Sequence, residues 1–160
     1  MFKKILITFF ISMVPLIELR GAVPAGVAMG VPTWLAYIVS VIGNMIPVPF
    51  IFLFARKFLE WGKDKKYLEK ICKWVLKKGE KGGKKLTEKT GQSVYFALLL
   101  FVGIPLPGTG AWTGTLAASL LDLDRKKSVI CIMLGVCLAG VIMTLASMGV
   151  FGALGHLFSK

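Results

Sequence analysis

Between Ile5 and Ala55 the chain carries two charged residues, Glu18 and Arg20, in otherwise apolar sequence. A charge embedded in a membrane-type segment costs several kcal/mol and is by default functional, facing a partner or a cavity (roughly +2.5 kcal/mol or more at mid-bilayer). A guanidinium offers forked donors suited to phosphate or carboxylate, so Arg20 is a candidate ligand for an anionic group. Glu18 lies two residues away. It reads either as the structural ion-pair partner of Arg20 or as a proton site that is freed when a substrate phosphate displaces the pairing. A second concentration of unusual residues is Gly103-Ile-Pro-Leu-Pro-Gly-Thr-Gly110. A helix start presents unpaired N–H groups and about half a positive charge. One such start is expected at Pro24, since proline suits the first helical position, and another at Ala111. Thr109 would cap the latter, while Gly108 and Gly110 leave backbone open to a ligand. Two facing helix starts would bind an anion. Arg56 is a further binding candidate, or an ordinary topology marker. Asp122 and Asp124 sit beside Arg125 as interfacial ion-pair partners, with Asp122 also a candidate for proton entry.

These residues need elements to position them. Val94 to Leu121 is almost wholly apolar but broken at its centre, leaving two arms of 11 residues (94–104 and 111–121). Such an arm reaches roughly 16 Å as helix, against about 30 Å of hydrocarbon, so neither crosses alone. Lysines precede the stretch and Arg125, Lys126 and Lys127 follow it, which puts both ends on the cytoplasmic side. The economical reading is a re-entrant hairpin, and irregular backbone at that depth survives where it lines a cavity. The N-terminal sequence, basic then apolar, could be a signal peptide. Glu18, Arg20 and the following Gly21-Ala-Val-Pro-Ala-Gly26 favour instead a hairpin with arms Ile5–Ile17 and Pro24–Val31. Thr33–Ala55 is long enough to span, with Pro47 and Pro49 expected to kink or break it and Ala36, Ser40, Gly43 and Asn44 forming a packing stripe. Ser93 is a plausible N-cap for the arm that follows it. A second span is expected from Ser128 to about Val150, with Gly135 and Ala139 as its small-residue contacts.

Composition places the whole in a membrane: 56% of 160 residues are hydrophobic and mean hydropathy is +0.74, well above a soluble domain of this size. The net charge of +12 is concentrated, with residues 56–92 holding 13 of the 20 Lys/Arg. Beside membrane segments this block reads as a cytoplasmic determinant of topology that touches anionic lipid headgroups, rather than a nucleic-acid surface. Residues 57–78, with Trp61, Tyr67 and Trp74, suit a basic amphipathic helix on that membrane face. Cys72, Cys131 and Cys137 have no metal or redox spacing and are expected as free thiols. One histidine, His156, and no phosphate-binding glycine loop argue against an enzyme; no metal or cofactor is expected.

The expected fold class is an all-α integral membrane protein of one domain, 1–160, in the cell membrane. Repeat 1 covers 1–55 (hairpin 5–31, span 33–55), the basic segment 56–92 follows, and repeat 2 covers 94–152 (hairpin 94–121, span 128–150). One span separates the hairpins, so they enter from opposite faces: an inverted repeat, a transporter architecture with its site at the midplane. The motifs Pro15-Leu-Ile-Glu-Leu-Arg-Gly-Ala-Val-Pro24, Gly43-Asn44 with Pro47, and Pro105-Leu-Pro-Gly-Thr-Gly-Ala111 resemble the small multidrug export protein family, itself similar to the DedA superfamily. That resemblance implies face-to-face hairpins and movement of polyprenyl-phosphate lipid carriers, or proton-dependent drug tolerance. It assigns Glu18 and Arg20 to the hairpin carboxylate and arginine of that superfamily, and Arg56 to the arginine after the first span, with Ala55 where a glycine is usual. The leading expectation is a transporter or flippase for an amphipathic, phospholipid-like anion, driven by protons. Export of cationic or neutral amphipathic drugs, and a non-transporting lipid-organising role, are the alternatives. Two spans and two hairpins per chain call for a homo-oligomer.

Overall fold

In the computed structural model, residues 1–15, 17–62, 69, 70, 73, 91–106 and 109–158 are described. Every element among them is a helix: α1 (Phe2–Met13), α2 (Glu18–Ala28), α3 (Thr33–Met45), α4 (Pro47–Gly62), α5 (Ser93–Gly103), α6 (Ala111–Leu120) and α7 (Arg125–Phe158). Most of the expected surface helix 57–78 lies outside the described residues, although α4 carries its start to Gly62.

Prolines set the breaks. The residue before a proline is pushed out of the helical region, and Val14 before Pro15 and Ile104 before Pro105 are both extended (ψ 129° and 116°). Each ends a short apolar helix and starts a turn. The helices on either side fold back on each other, for a Cβ on Gly26 would press on Thr8 and one on Gly114 would strike Val102. Thr33–Ala55 is long enough to cross a bilayer, at 23 residues and mean hydropathy 2.1. It is broken at Ile46, where Pro47 becomes the first residue of α4. The second candidate span, Arg125–Gly149, has mean hydropathy 2.7.

Three expectations need correction. The second arm of the first hairpin starts at Glu18, and Pro24 lies inside α2. The first arm ends at Met13 and not at Ile17, and Pro24 costs the Arg20 carbonyl its i+4 partner instead of starting the helix. Ser93 is the first residue of α5, and Gln92 precedes it as the cap. The last helix is not 23 residues but 34. It begins where Asp124 accepts the Lys127 N–H at 2.9 Å, an N-cap, and it meets no proline afterwards to stop it.

The surface is inverted relative to a soluble protein. Phe10, Trp34, Phe50 and Leu145 are each more than half exposed, whereas Thr8, Ser12, Ser40 and Asn44 are completely buried. Between helices in lipid, close packing of small residues substitutes for the hydrophobic effect, and this distribution is that of a membrane protein.

The ends of α2 and α6 share one hydrogen-bond pattern. After α2, the N–H groups of Met29, Gly30 and Val31 bond the carbonyls of Ala25, Val27 and Gly26; after α6, Leu121, Asp122 and Leu123 bond Ala117, Ser119 and Ala118. The corresponding residues lie 92 apart in every case. Both turns place one residue in the left-handed region, Gly30 (φ 82°) and Asp122 (φ 55°), the arrangement of a Schellman helix end. Farther along, Gly43 sits under the Phe9 carbonyl and Gly135 under the Leu99 carbonyl. A Cβ on Gly135 would stand 2.7 Å from that oxygen and 2.8 Å from the Val102 Cβ, neither of which can yield cheaply. Gly135→Ala is therefore expected to destabilise the protein by roughly 1–3 kcal/mol, the usual cost of overpacking. Gly149→Ala, with nothing within 4 Å, should be neutral or stabilising. Thermal unfolding of both variants in the same lipid checks the contrast.

Candidate functional site

The start of α6 is the centre of the site. Its N-cap is Gly110, which has no side chain to offer the exposed N–H groups, and no side chain of its own turn caps it. Glu18 supplies the missing acceptor from 93 residues away. Its Oε2 accepts the Ala111 N–H at 3.1 Å and its Oε1 accepts the Trp112 N–H at 3.1 Å. The carboxylate is buried, with Glu18 only 4% exposed. A negative group at a helix N-terminus gains from both the orphan donors and the helix dipole.

Gly110 makes that approach possible. It has φ 150°, and a Cβ on it would collide with both carboxylate oxygens of Glu18. Glu18 itself adopts φ 51°, a left-handed conformation that costs a non-glycine residue roughly 1–2 kcal/mol. Strain of this kind gathers at functional positions.

Arg20 makes a second link between the hairpins. Its Nη1 donates to the Leu106 carbonyl, and its Nη2 donates to Thr109 Oγ1 at 2.7 Å. Thr109 Oγ1 in turn reaches the carbonyls of Ile104 (2.9 Å) and Leu106 (3.0 Å). Thr109 thus buckles its own turn and receives Arg20, and does not cap α6.

The structure therefore joins Glu18, Arg20, Thr109 and Gly110 in one place. Pro24 sits farther along α2, and Asp122 lies at the opposite end of α6, where a cavity of about 20 Å³ is lined by Phe52, Ser119, Asp122, Leu123 and Arg125. Arg56 is in α4 with its side chain outside the described residues, as is Gly108 altogether. Opening beside Glu18 is a larger cavity of about 290 Å³ lined by Pro15, Glu18, Ile51, Thr109, Trp112, Thr113 and Leu116. It lies near the lower end of the roughly 300–1,000 Å³ of small-molecule clefts. Ile51 and Trp112 were not foreseen as part of the site. α4 packs on α6, and only that tertiary contact brings Ile51 there.

With apolar helices that fit a bilayer, a buried carboxylate on a helix start, a half-buried arginine on the turn before it and a cavity beside them, a match to known sequences is decisive. A family described as small multi-drug export protein matches residues 18–142. The chain belongs to that family. The match begins at Glu18 and runs into α7, so it contains both halves of the inter-hairpin contact. Membership makes this chain a membrane exporter. No curated protein and no solved structure matches it.

Proposed function

We propose that this exporter carries an amphipathic anion, a phosphate group on an apolar tail, and exchanges a proton at Glu18 as it does so. The observation that supports this reading is the Glu18 carboxylate on the α6 N-terminus. In effect the chain's own anion occupies an anion site. The fixed groups there are Arg20 at +1 and a helix start worth about half a positive charge. Ionised Glu18 leaves the site weakly positive, and protonated Glu18 leaves it strongly so.

Magnitudes decide the order of events. A hydrogen bond to a charged group contributes roughly 1.5–3 kcal/mol, so two of them handicap an incoming anion by about two to four orders of magnitude. A proton on Glu18 removes the charge and most of that handicap. The Ala111 and Trp112 N–H groups then turn to the substrate phosphate, Arg20 supplies the balancing charge, and the tail lies in the cavity along Ile51 and Leu116. By linkage, the phosphate must promote proton uptake as strongly as the proton promotes phosphate binding.

Two re-entrant hairpins meeting at mid-membrane from opposite faces, in a DedA-like inverted repeat, fit this mechanism. The reading is supported by the hydrogen-bond pattern that recurs 92 residues on and by the turns that meet through Glu18 and Arg20. Anionic lipid headgroups against the basic segment 56–92 in the cytoplasm, and a homo-oligomer that completes the pathway in the cell membrane, belong to the same proposal. A second reading is export of cationic amphipaths, favoured by the family's description and by the carboxylate at the edge of an apolar cavity.

Proteoliposomes separate the two. Flux of a polyprenyl-phosphate-type lipid should fall at least about tenfold in Arg20→Ala, from loss of two charge-assisted bonds, and recover partly in Arg20→Lys, which keeps the charge without the fork. Drug efflux that needs Glu18 but is indifferent to Arg20 would establish the cationic reading instead.

A further inference from the structure

The repeat exposes a difference between the halves that packing does not require. Thr8, Ser12, Ser40 and Asn44 are completely buried on α1 and α3. At the repeat spacing (90 residues for α1 to α5, 92 for α3 to α7) their counterparts are Leu98, Val102, Ile132 and Val136. Those four are buried as well. The same seam is thus built once from polar side chains and once from apolar ones.

The polar version is costly. Ser40 Oγ and both Nδ2 and Oδ1 of Asn44 have no hydrogen-bond partner among the described residues. A buried polar group left unpaired costs roughly 1–3 kcal/mol. A partner that satisfies the amide must both accept from Nδ2 and donate to Oδ1. Water does both, whereas a cation would leave the amide hydrogens unpaired. The seam also leads to the site. Ser12 abuts Gly43, the neighbour of Asn44, and α1 then turns at Val14, whose carbonyl accepts the Glu18 N–H at 3.0 Å. The charged groups on the surrounding helices are Lys3 and Lys4 on α1, Glu18 and Arg20 on α2, Arg56, Lys57 and Glu60 on α4, and Arg125, Lys126 and Lys127 at the start of α7. Nearby, Tyr37 donates to the Cys137 carbonyl at 3.3 Å.

We infer that the Ser12–Ser40–Asn44 seam holds ordered water and conducts the proton that Glu18 exchanges, so that only the first half of the repeat is the proton's way in. This rests on Glu18 being the proton site. The repeat itself supplies a mild test variant, Asn44→Val, which installs the residue that the second half packs at that position.

Purified protein in phosphatidylcholine vesicles is mixed with dodecyl phosphate, and proton uptake is followed by a pH dye in stopped flow. Asn44→Val should slow uptake at least about tenfold, with an unchanged number of protons and unchanged affinity for the probe. Asn44→Gln, which keeps donor and acceptor, should stay within about twofold of wild type. Wild-type uptake rates in Asn44→Val, with uptake abolished in Glu18→Gln, would overturn the seam alone. Undiminished uptake in Glu18→Gln would overturn the reading beneath it.

Discussion

Glu18→Gln is expected to make phosphate binding independent of pH and, near neutrality, at least about tenfold tighter than in wild type. In wild type the ionised carboxylate holds the Ala111 and Trp112 N–H groups and excludes the substrate. On the proposed reading, a proton taken up by Glu18 weakens those two bonds and opens the site, so proton uptake and phosphate affinity rise together. Glutamine is a neutral competitor at every pH. Its amide oxygen can accept one N–H, but its amide nitrogen meets the other donor to donor, and the charge-assisted share of roughly 1.5–3 kcal/mol per bond is lost. The same variant should take up no proton on binding phosphate, and its flux should not respond to an imposed proton gradient. The cationic reading requires the opposite sign, since a positively charged amphipath would lose the Glu18 counter-charge that lines the cavity. Equilibrium binding of dodecyl phosphate and of a cationic amphipath across a pH series distinguishes the two.

Gly110→Ala is expected to be the most damaging single substitution in the turns. Its backbone, at φ 150°, lies in a region that only glycine adopts without a cost of order 1–3 kcal/mol. The added methyl group would also strike both oxygens of Glu18. The carboxylate must leave the helix start, so the variant should combine lowered thermal stability with the flat pH dependence of Glu18→Gln. The two changes should not add. In a double-mutant cycle, Glu18 and Gly110 should show a coupling of at least about 1 kcal/mol, as groups in contact do. Additive losses in unfolding free energy would mean that the methyl group acts through the backbone alone.

Much of this site was legible before any coordinates. Glu18 and Arg20 stand out because charge amid apolar sequence is costly, and Thr109 and Gly110 because a proline- and glycine-rich break cannot be a spanning helix. What the chain could not disclose was the partnership among them. Local rules place a cap beside the helix it serves, and so assign the α6 start to Thr109. The actual cap is a carboxylate from the other hairpin, a pairing with no signature in spacing or periodicity. Pro24 misled for a related reason. Proline is favoured at helix starts, but Glu18 gives α2 an acidic first turn, and packing against α1 and α3 carries the helix through the proline. The breaks at Pro47 and Pro105 were legible because a local steric clash fixes them, whereas the same clash at Pro15 was passed over by an arm drawn through to Ile17. The extent of α7 was not, because membrane thickness says where a span may end and nothing about where a helix must. The matches about 90 residues apart were scattered in the sequence, and the likeness of the helix ends after α2 and α6 became visible only through their hydrogen bonds.

The central claim is that the Glu18 carboxylate and a phosphate compete for one helix start, and that a proton on Glu18 gives the helix start to the phosphate. Calorimetric titration of the reconstituted protein with dodecyl phosphate, in buffers of different ionisation enthalpy, counts the protons taken up on binding. The account predicts close to one proton per phosphate at a pH where Glu18 is ionised, falling to zero in Glu18→Gln. Phosphate binding without proton uptake in the wild-type protein, or uptake that survives in Glu18→Gln, would contradict it.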